Sequence, residues 1–321
     1  MLNQSELDQI ASSIFSPYYL DKVRSIERDG LKFVQYTSAE AAANIIKGGE
    51  VWLRNSQCMN DYSEITHGTN CLVNAFTAEQ QGLAFQVLLE SIFPGIVKEF
   101  THIFDSWLPS FRQSTYIACV SEHPPEEDKY GRLSMWRAYG GNRPVALVLN
   151  IEPFLADTDI FNAYTSPVAY LDPDRFKDEF SGLSNRVKEN EKVIQQLGRN
   201  NVINYLFKTF KNSVSCVKHP GFQEEREWRV VYNPDHKSSE HVTSSIEIID
   251  GVPQEIHKIP LKDIPEGNFF GASVPDFVEK IIIGPSDQQA VLAGTFAKLL
   301  QSTGCKDPFS KIQISGIPLR E

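Results

Sequence analysis

Two short runs of this chain are almost wholly apolar: "PVALVLN" at 144–150 and "KIIIG" at 280–284. A strand with one wet face alternates apolar and polar residues, and these two runs do not. They predict strands covered on both faces. The chain must therefore build a sheet and supply layers to cover it, and 321 residues can bury such a core without staples.

Other strand-like runs are shorter or more polar: 31–38, 50–56, 114–121, 161–171, the second half of 221–234, 255–261 and 311–319. Pro167 argues for an edge or a bulge in its run. Helical patterns of varied length separate them: 5–28 with a break at Pro17, 63–108 broken at Pro94, 133–141, and 173–213 as two helices parted near Gly198. Ser38 suits the N-cap of "AEAAANIIK", which Gly48-Gly49 ends, and Ser286 suits the cap of 286–300. Residues 122–132 read as a mobile loop and 233–254 as irregular polar chain. Several strands are too short for a regular doubly wound sheet. The fold class expected is α+β, with mixed, largely antiparallel sheets, helices and an inserted helical segment. Residues 1–30 read as an N-terminal helical extension. Residues 31–321 read as a single α+β domain with helical insertions near 63–108 and 173–213.

The net charge is −10, which disfavours strong nonspecific binding to nucleic acid, a process that runs on Lys and Arg. No stretch approaches the roughly 20 apolar residues of a membrane span. The first twenty residues lack the basic start and apolar core of a signal peptide. The five cysteines are scattered, with no C-x-x-C pair, as in a reduced compartment. A cytoplasmic protein without a membrane partner is expected. No G-x-G-x-x-G follows a strand and no P-loop occurs. The dispersed histidines offer no zinc spacing, so no metal site is assigned.

Charge concentrates where a core strand should begin. "GFQEEREWRVVYNP" runs from Gly221 to Pro234. Strand alternation would put Glu225, Glu227 and Arg229 on one face and Arg226, Trp228 and Val230 on the other. The first set is either a solvated edge or the wall of a cleft. A second cluster, "RNSQCMNDYSE", holds Arg54, Asn55, Asn60, Asp61 and Glu64; either Asp61 caps the next helix, or the loop holds a ligand or locks the strand 227–232 by hydrogen bonds. A third, "RLSMWRAYGG", crowds Arg132, Ser134, Trp136, Arg137 and Tyr139 onto a short helix. Trp136 and Tyr139, three apart, share a helical side, as core or as a platform for a base beside a phosphate-binding arginine.

In this order, "YTS…NIIKGGEVWLRNSQCMNDYSE", "ACVSE…LSMWRAYGG", "REWRVVY" and "KIIIGP…ISGIPLR" resemble a large bacterial family catalogued as a domain of unknown function, over roughly 31–319. The layout is also similar to ADP-ribosyltransferases, toxin-like ones included: a strand ending "QYTS", a helix, a strand with an aromatic, and a late strand with Glu-x-Glu. That resemblance implies an ADP-ribosyltransferase-like fold and NAD as substrate. Glu227 would be the catalytic carboxylate and Glu225 would orient an acceptor. Tyr36, Thr37, Ser38, Arg54, Asn60, Asp61, Trp136, Arg137, Tyr139 and Arg229 would bind the nucleotide. Where the transferases carry His or Arg on the first strand, this chain has Gln35-Tyr36-Thr37-Ser38, and its central aromatic is Trp52 or Tyr62. A fixed carboxylate stabilises the positive charge that builds on ribose as the glycosidic bond breaks.

Three functions follow as expectations. One is an NAD-consuming transferase or glycohydrolase acting on a macromolecular acceptor, in phage defence or as a toxin. Another is a non-catalytic nucleotide-binding or protein-interaction module. The third is a metal-dependent nuclease built on Asp61, Glu64, Glu225 and Glu227.

Overall fold

The computed structural model describes residues 3–59, 64–249 and 251–318, Glu64 by its backbone alone. Asn60, Asp61 and Tyr62, assigned roles from sequence, lie outside the described residues. Twelve strands run through the rest: β1 (Lys32–Ser38), β2 (Glu50–Asn55), β3 (Tyr116–His123), β4 (Pro144–Leu149), β5 (Ala163–Pro167), β6 (Ala169–Tyr170), β7 (Val217–Lys218), β8 (Glu227–Tyr232), β9 (Thr243–Ile249), β10 (Val252–Pro260), β11 (Val278–Ile283) and β12 (Ile312–Ile314). The fold is mixed α+β, as the varied helix lengths and short strands imply. By its contacts the chain divides into two compact units.

The first unit comprises residues 25–55, 115–165 and 224–321. Its sheet runs β12-β11-β4-β1-β3-β2-β10-β9, with β8 beside β3 and β5 beside β8. From β11 to β9 each ladder is antiparallel, and β12 joins β11 in parallel. The apolar run predicted to be covered on both faces is β4, and all six of its residues are buried. On one face Val34, Tyr36, Ala146, Val148 and Ile282 pack against Met135 and Trp136 of the helix Leu133–Tyr139. Ser38 caps the helix Ala39–Gly48 by accepting from the Ala41 amide at 3.2 Å, and Gly49 ends it with φ +61°. Only a residue without Cβ takes that backbone without strain.

β3 forks the sheet. Along one edge it pairs with β8 from Tyr116 to Ser121. Along the other, β1 engages Ser121–His123 and β2 engages Tyr116 and Ile117. The edge thus opens at residues 118–120, where among the described residues no strand is registered opposite. Residues directly opposed in a sheet share a face. Val34, Ser121 and Glu227 therefore share one, with Cys119 and Arg229 next to them and Arg54, Ile117 and Val231 beyond.

Three readings need correction here. Residues 233–254 are not all irregular: Thr243–Ile249 and Val252–Pro260 form an antiparallel hairpin. The final strand is confined to Ile312–Ile314. Ser286 is not the N-cap of the last helix, which spans Gln289–Ser302 with Gln288 at its cap; the Ser286 hydroxyl accepts from the Gln288 amide instead.

The second unit comprises residues 1–24, 56–114 and 166–223 and is helical apart from the two-residue parallel pair β6–β7. Asn3 and Glu6 form a capping box that starts the helix Gln4–Phe15. Residues 173–215 make three helices, Pro173–Glu189, Glu191–Leu197 and Arg199–Ser215, one more than the pattern implied; Gly198 marks the last break as expected. Its centre is aromatic. The Phe210 ring meets those of Phe76, Phe100, Phe104 and Phe180 at centroid distances of 4.9–6.3 Å. Edge-to-face pairs at such spacings add to the area they bury. Among the described residues, no helix is long and apolar enough to cross a membrane.

Candidate functional site

The charged stretch 221–234 splits where the alternation rule would have carried straight through. Residues Pro220–Glu225 form a 3-10 turn, and the strand starts only at Glu227. Between them Arg226 takes φ +45°, a left-handed backbone that costs a non-glycine residue about 1 kcal/mol or more. Two contacts offset that cost. The Arg226 carbonyl accepts from the Glu122 amide at 2.9 Å, and its guanidinium meets Glu127 at 3.2 Å. The kink removes Glu225 from the strand face predicted for it. Glu225 is half-buried in the turn and accepts from the Tyr139 hydroxyl at 2.7 Å.

Glu227 and Arg229 do share a face, and they are inside. They are 6% and 2% exposed, and Arg229 donates to both carboxylate oxygens of Glu227, Nε at 2.8 Å and the second nitrogen at 3.3 Å. Bidentate pairing is the strongest arrangement open to two such groups, yet burying them costs several kcal/mol per ion. The solvated-edge reading of these two residues is excluded. Behind them Trp228 is fully buried; its indole donates to Glu122 at 3.0 Å and its ring lies 5.1 Å from that of Phe33.

Several residues given ligand roles are structural. Tyr36 is 6% exposed, sits edge-on to Trp136 at 4.7 Å, and accepts from the Arg132 amide at 2.8 Å. Burial pushes its phenol up to about 12, so it stays neutral. Trp136 is 3% exposed and donates to the Tyr130 carbonyl at 2.9 Å, so it is core and not a platform. Tyr139 is 40% exposed, so the two aromatics do not share a buried side. The Ser38 hydroxyl is committed to its helix cap, and Thr37 pairs opposite Val145 in the β1–β4 ladder. Arg54 is half-buried and donates to Gln254 at 3.2 Å, while Arg137 is exposed.

Arg132, named in the sequence only as one of a crowded helix cluster and given no role, ties this region together. Arg132 donates to the Glu122 carbonyl at 2.8 Å and the Glu224 carbonyl at 2.6 Å, and holds the Glu127 carboxylate at 2.9 and 3.2 Å. Loop 122–132 is therefore stapled to the turn that carries Glu225, and the expectation of a mobile loop fails. Gly131 completes the staple: with φ +65°, an added Cβ would lie 2.5 Å from the Trp136 ring. No spacing rule joins 132 to 224; the one available signal was an arginine beside the glycine of that loop.

A proton-sensitive chain runs nearby. His123 is buried and its Nε2 lies 2.8 Å from Asp128, which also pairs with Lys280. Burial pushes the His123 imidazole below its ordinary value despite the pull of Asp128. Partial burial opposes ionisation of Asp128, but hydrogen bonds from Lys280 and His123 outweigh it and hold its carboxyl below the usual range. Among the described residues, no group of three or more His, Cys, Asp or Glu side chains is arranged to hold a metal ion.

Residues 135–230 match a family model described as "Protein of unknown function (DUF2971)". The match starts in the helix Leu133–Tyr139 and ends inside β8, so it takes in Trp136, Arg137, Tyr139, Glu225, Glu227 and Arg229. Tyr36, Thr37, Ser38 and Arg54 fall outside it. Searches of curated proteins and of solved structures each returned no match.

Proposed function

We propose that the sheet unit is an NAD-consuming enzyme of the ADP-ribosyltransferase type, with Glu227 as its catalytic carboxylate. One observation carries this reading. A buried carboxylate, aimed by a bidentate arginine, opens the strand beside a forked sheet edge. A fold with ample apolar residues gains little stability from such a pair, since an apolar pair of similar volume often serves as well. Its presence fits a site that needs fixed negative charge.

In the proposed reaction the bond between ribose C1′ and the nicotinamide nitrogen breaks. Both electrons leave with nicotinamide, which becomes neutral. The positive charge that develops on the ribose faces Glu227. An acceptor hydroxyl, amine or water then bonds to C1′ and loses its proton. Glu225, half-buried and hydrogen-bonded to Tyr139, would receive it if the acceptor approaches from the turn that carries it. Arg54 or Arg137 would hold the pyrophosphate, since a guanidinium suits phosphate bidentately. Purified protein incubated with NAD, alone and with protein or nucleic-acid acceptors, should release nicotinamide; wild type that releases none under every condition removes the reading.

A second reading has its own support: both oxygens of Glu227 already accept from Arg229, as in an internal tie. The unit would then be a nucleotide-binding or protein-interaction module, and NAD would bind without turnover.

A further inference from the structure

The helical unit contains a cavity of about 380 Å³ that the sheet chemistry does not use. That volume lies in the range of small-molecule sites. Its walls include Leu72, Phe176, Phe180, Leu183, Phe210 and Val217, apolar side chains at most 5% exposed.

Polar residues interrupt this lining, among them Glu179, Arg186, Thr209, Asn212 and Ser213, and two of them leave polar atoms unsatisfied. The Asn212 Oδ1 is shut off from solvent and has no hydrogen-bond partner. An amide oxygen buried in that state costs about 1–3 kcal/mol, so it calls for a donor. Arg186 also faces the cavity, and its Nε donates to the Ile14 carbonyl at 2.8 Å. Among the described residues its outer nitrogens have no hydrogen bond and no salt bridge. Burial pushes its guanidinium below the ordinary value, opposed by the charges of Glu179, which also lines the cavity, and Glu189. A guanidinium fork of this kind matches a carboxylate bidentately. Filling the cavity thus takes an apolar body, an anionic group for Arg186 and one hydrogen-bond donor for Asn212.

We propose that this cavity binds an amphipathic carboxylic acid that carries a single hydrogen-bond donor near its head. Two sources share that chemistry, an N-acyl amino acid through its amide N–H and a hydroxy fatty acid through its hydroxyl. The site is independent of the reading proposed for the sheet unit.

The test is calorimetric titration of the full chain with N-lauroylglycine, 3-hydroxydodecanoic acid, dodecanoic acid and dodecanol. Saturable one-to-one binding of one or both donor-bearing acids is expected, and the tighter of the two identifies the source. Dodecanoic acid should bind about tenfold more weakly, the worth of one hydrogen bond of roughly 1.4 kcal/mol, and dodecanol more weakly still. Arg186→Met should weaken the acids about tenfold or more and leave dodecanol unchanged. Asn212→Leu should erase the advantage of the donor-bearing acids. If Arg186→Met fails to fold, Arg186→Lys replaces it: it keeps the charge but not the fork, and should still bind more weakly. Leu183→Trp, which fills the cavity, should abolish binding. Absence of saturable binding, or acid affinities indifferent to changes at both 186 and 212, would overturn the proposal.

Discussion

The two units are organised around different kinds of buried contact. The sheet unit is tied by paired charges, Glu227 with Arg229, Arg132 with Glu127, and the partly exposed Asp128 with both His123 and Lys280, although His123 Nδ1 is buried without a hydrogen bond. The helical unit centres on aromatic rings around Phe210, and leaves an amide oxygen and a guanidinium end on the wall of a cavity. Saturated polarity fixes a geometry; unsaturated polarity asks for something from outside. The same chain thus offers one site where a charge is already aimed and another where a ligand would complete the bonding.

The largest effects should come from the two centres. Phe210→Ala should cost about 3–5 kcal/mol in urea unfolding, with a size that hardly changes between pH 5 and 8, because only apolar contacts are lost. Glu227→Ala should cost about as much, roughly 3–5 kcal/mol, since it strands the Arg229 charge. The double variant Glu227→Leu, Arg229→Met should recover most of that loss. A double variant as unstable as Glu227→Ala would break the contrast between the units.

Next in size is the staple. Arg132→Met should cost about 2–3 kcal/mol, from charge-assisted hydrogen bonds lost in a nearly buried setting. It should also open residues 124–132 to limited proteolysis, read by mass spectrometry of the fragments. Ser38→Ala should cost about 1 kcal/mol through its helix cap alone. A much larger change in NAD affinity than in stability at Ser38 would return that residue to the ligand.

The smallest effect is a pH trend confined to the sheet unit. His123 has a folded value below its ordinary 6.5, so folding favours its neutral form. Its contribution is complete above about 6.5 and is lost as pH falls through the lower folded value. Asp128, also held low, adds a second loss further into acid. Thermal melts at pH 7.5 and 5.5 should differ for wild type, and differ less for His123→Gln. An equal difference in both proteins would contradict the assignment.

How much could be read from residues alone depended on the range of the interaction. The apolar run at 144–150, the Ser38 cap and the Gly49 stop are local signals, and each has its structural counterpart. The β9 strand was hidden because its Ile246 and Ile248 are 67% and 76% exposed in a polar stretch, which blurs the usual burial pattern. Glu227 and Arg229 shared a face as alternation required, but Glu225 did not. One left-handed residue, Arg226, broke the period, and its support comes from Glu122 and Glu127, about a hundred positions away along the chain. The Arg132 staple and the cavity at Arg186 and Asn212 both depend on distant segments meeting, which spacing cannot reveal.

Glu227→Gln offers the most direct trial of the catalytic reading, because glutamine keeps the shape and an acceptor for Arg229 while removing the charge. With NAD as substrate, the variant should release nicotinamide about 100-fold more slowly than wild type, the scale of losing one electrostatic stabiliser, while its melting temperature falls by less than that of Glu227→Ala, because one acceptor for Arg229 remains. A wild type that releases no nicotinamide, alongside a variant that melts as low as Glu227→Ala, would show that the pair at 227 and 229 only braces the fold.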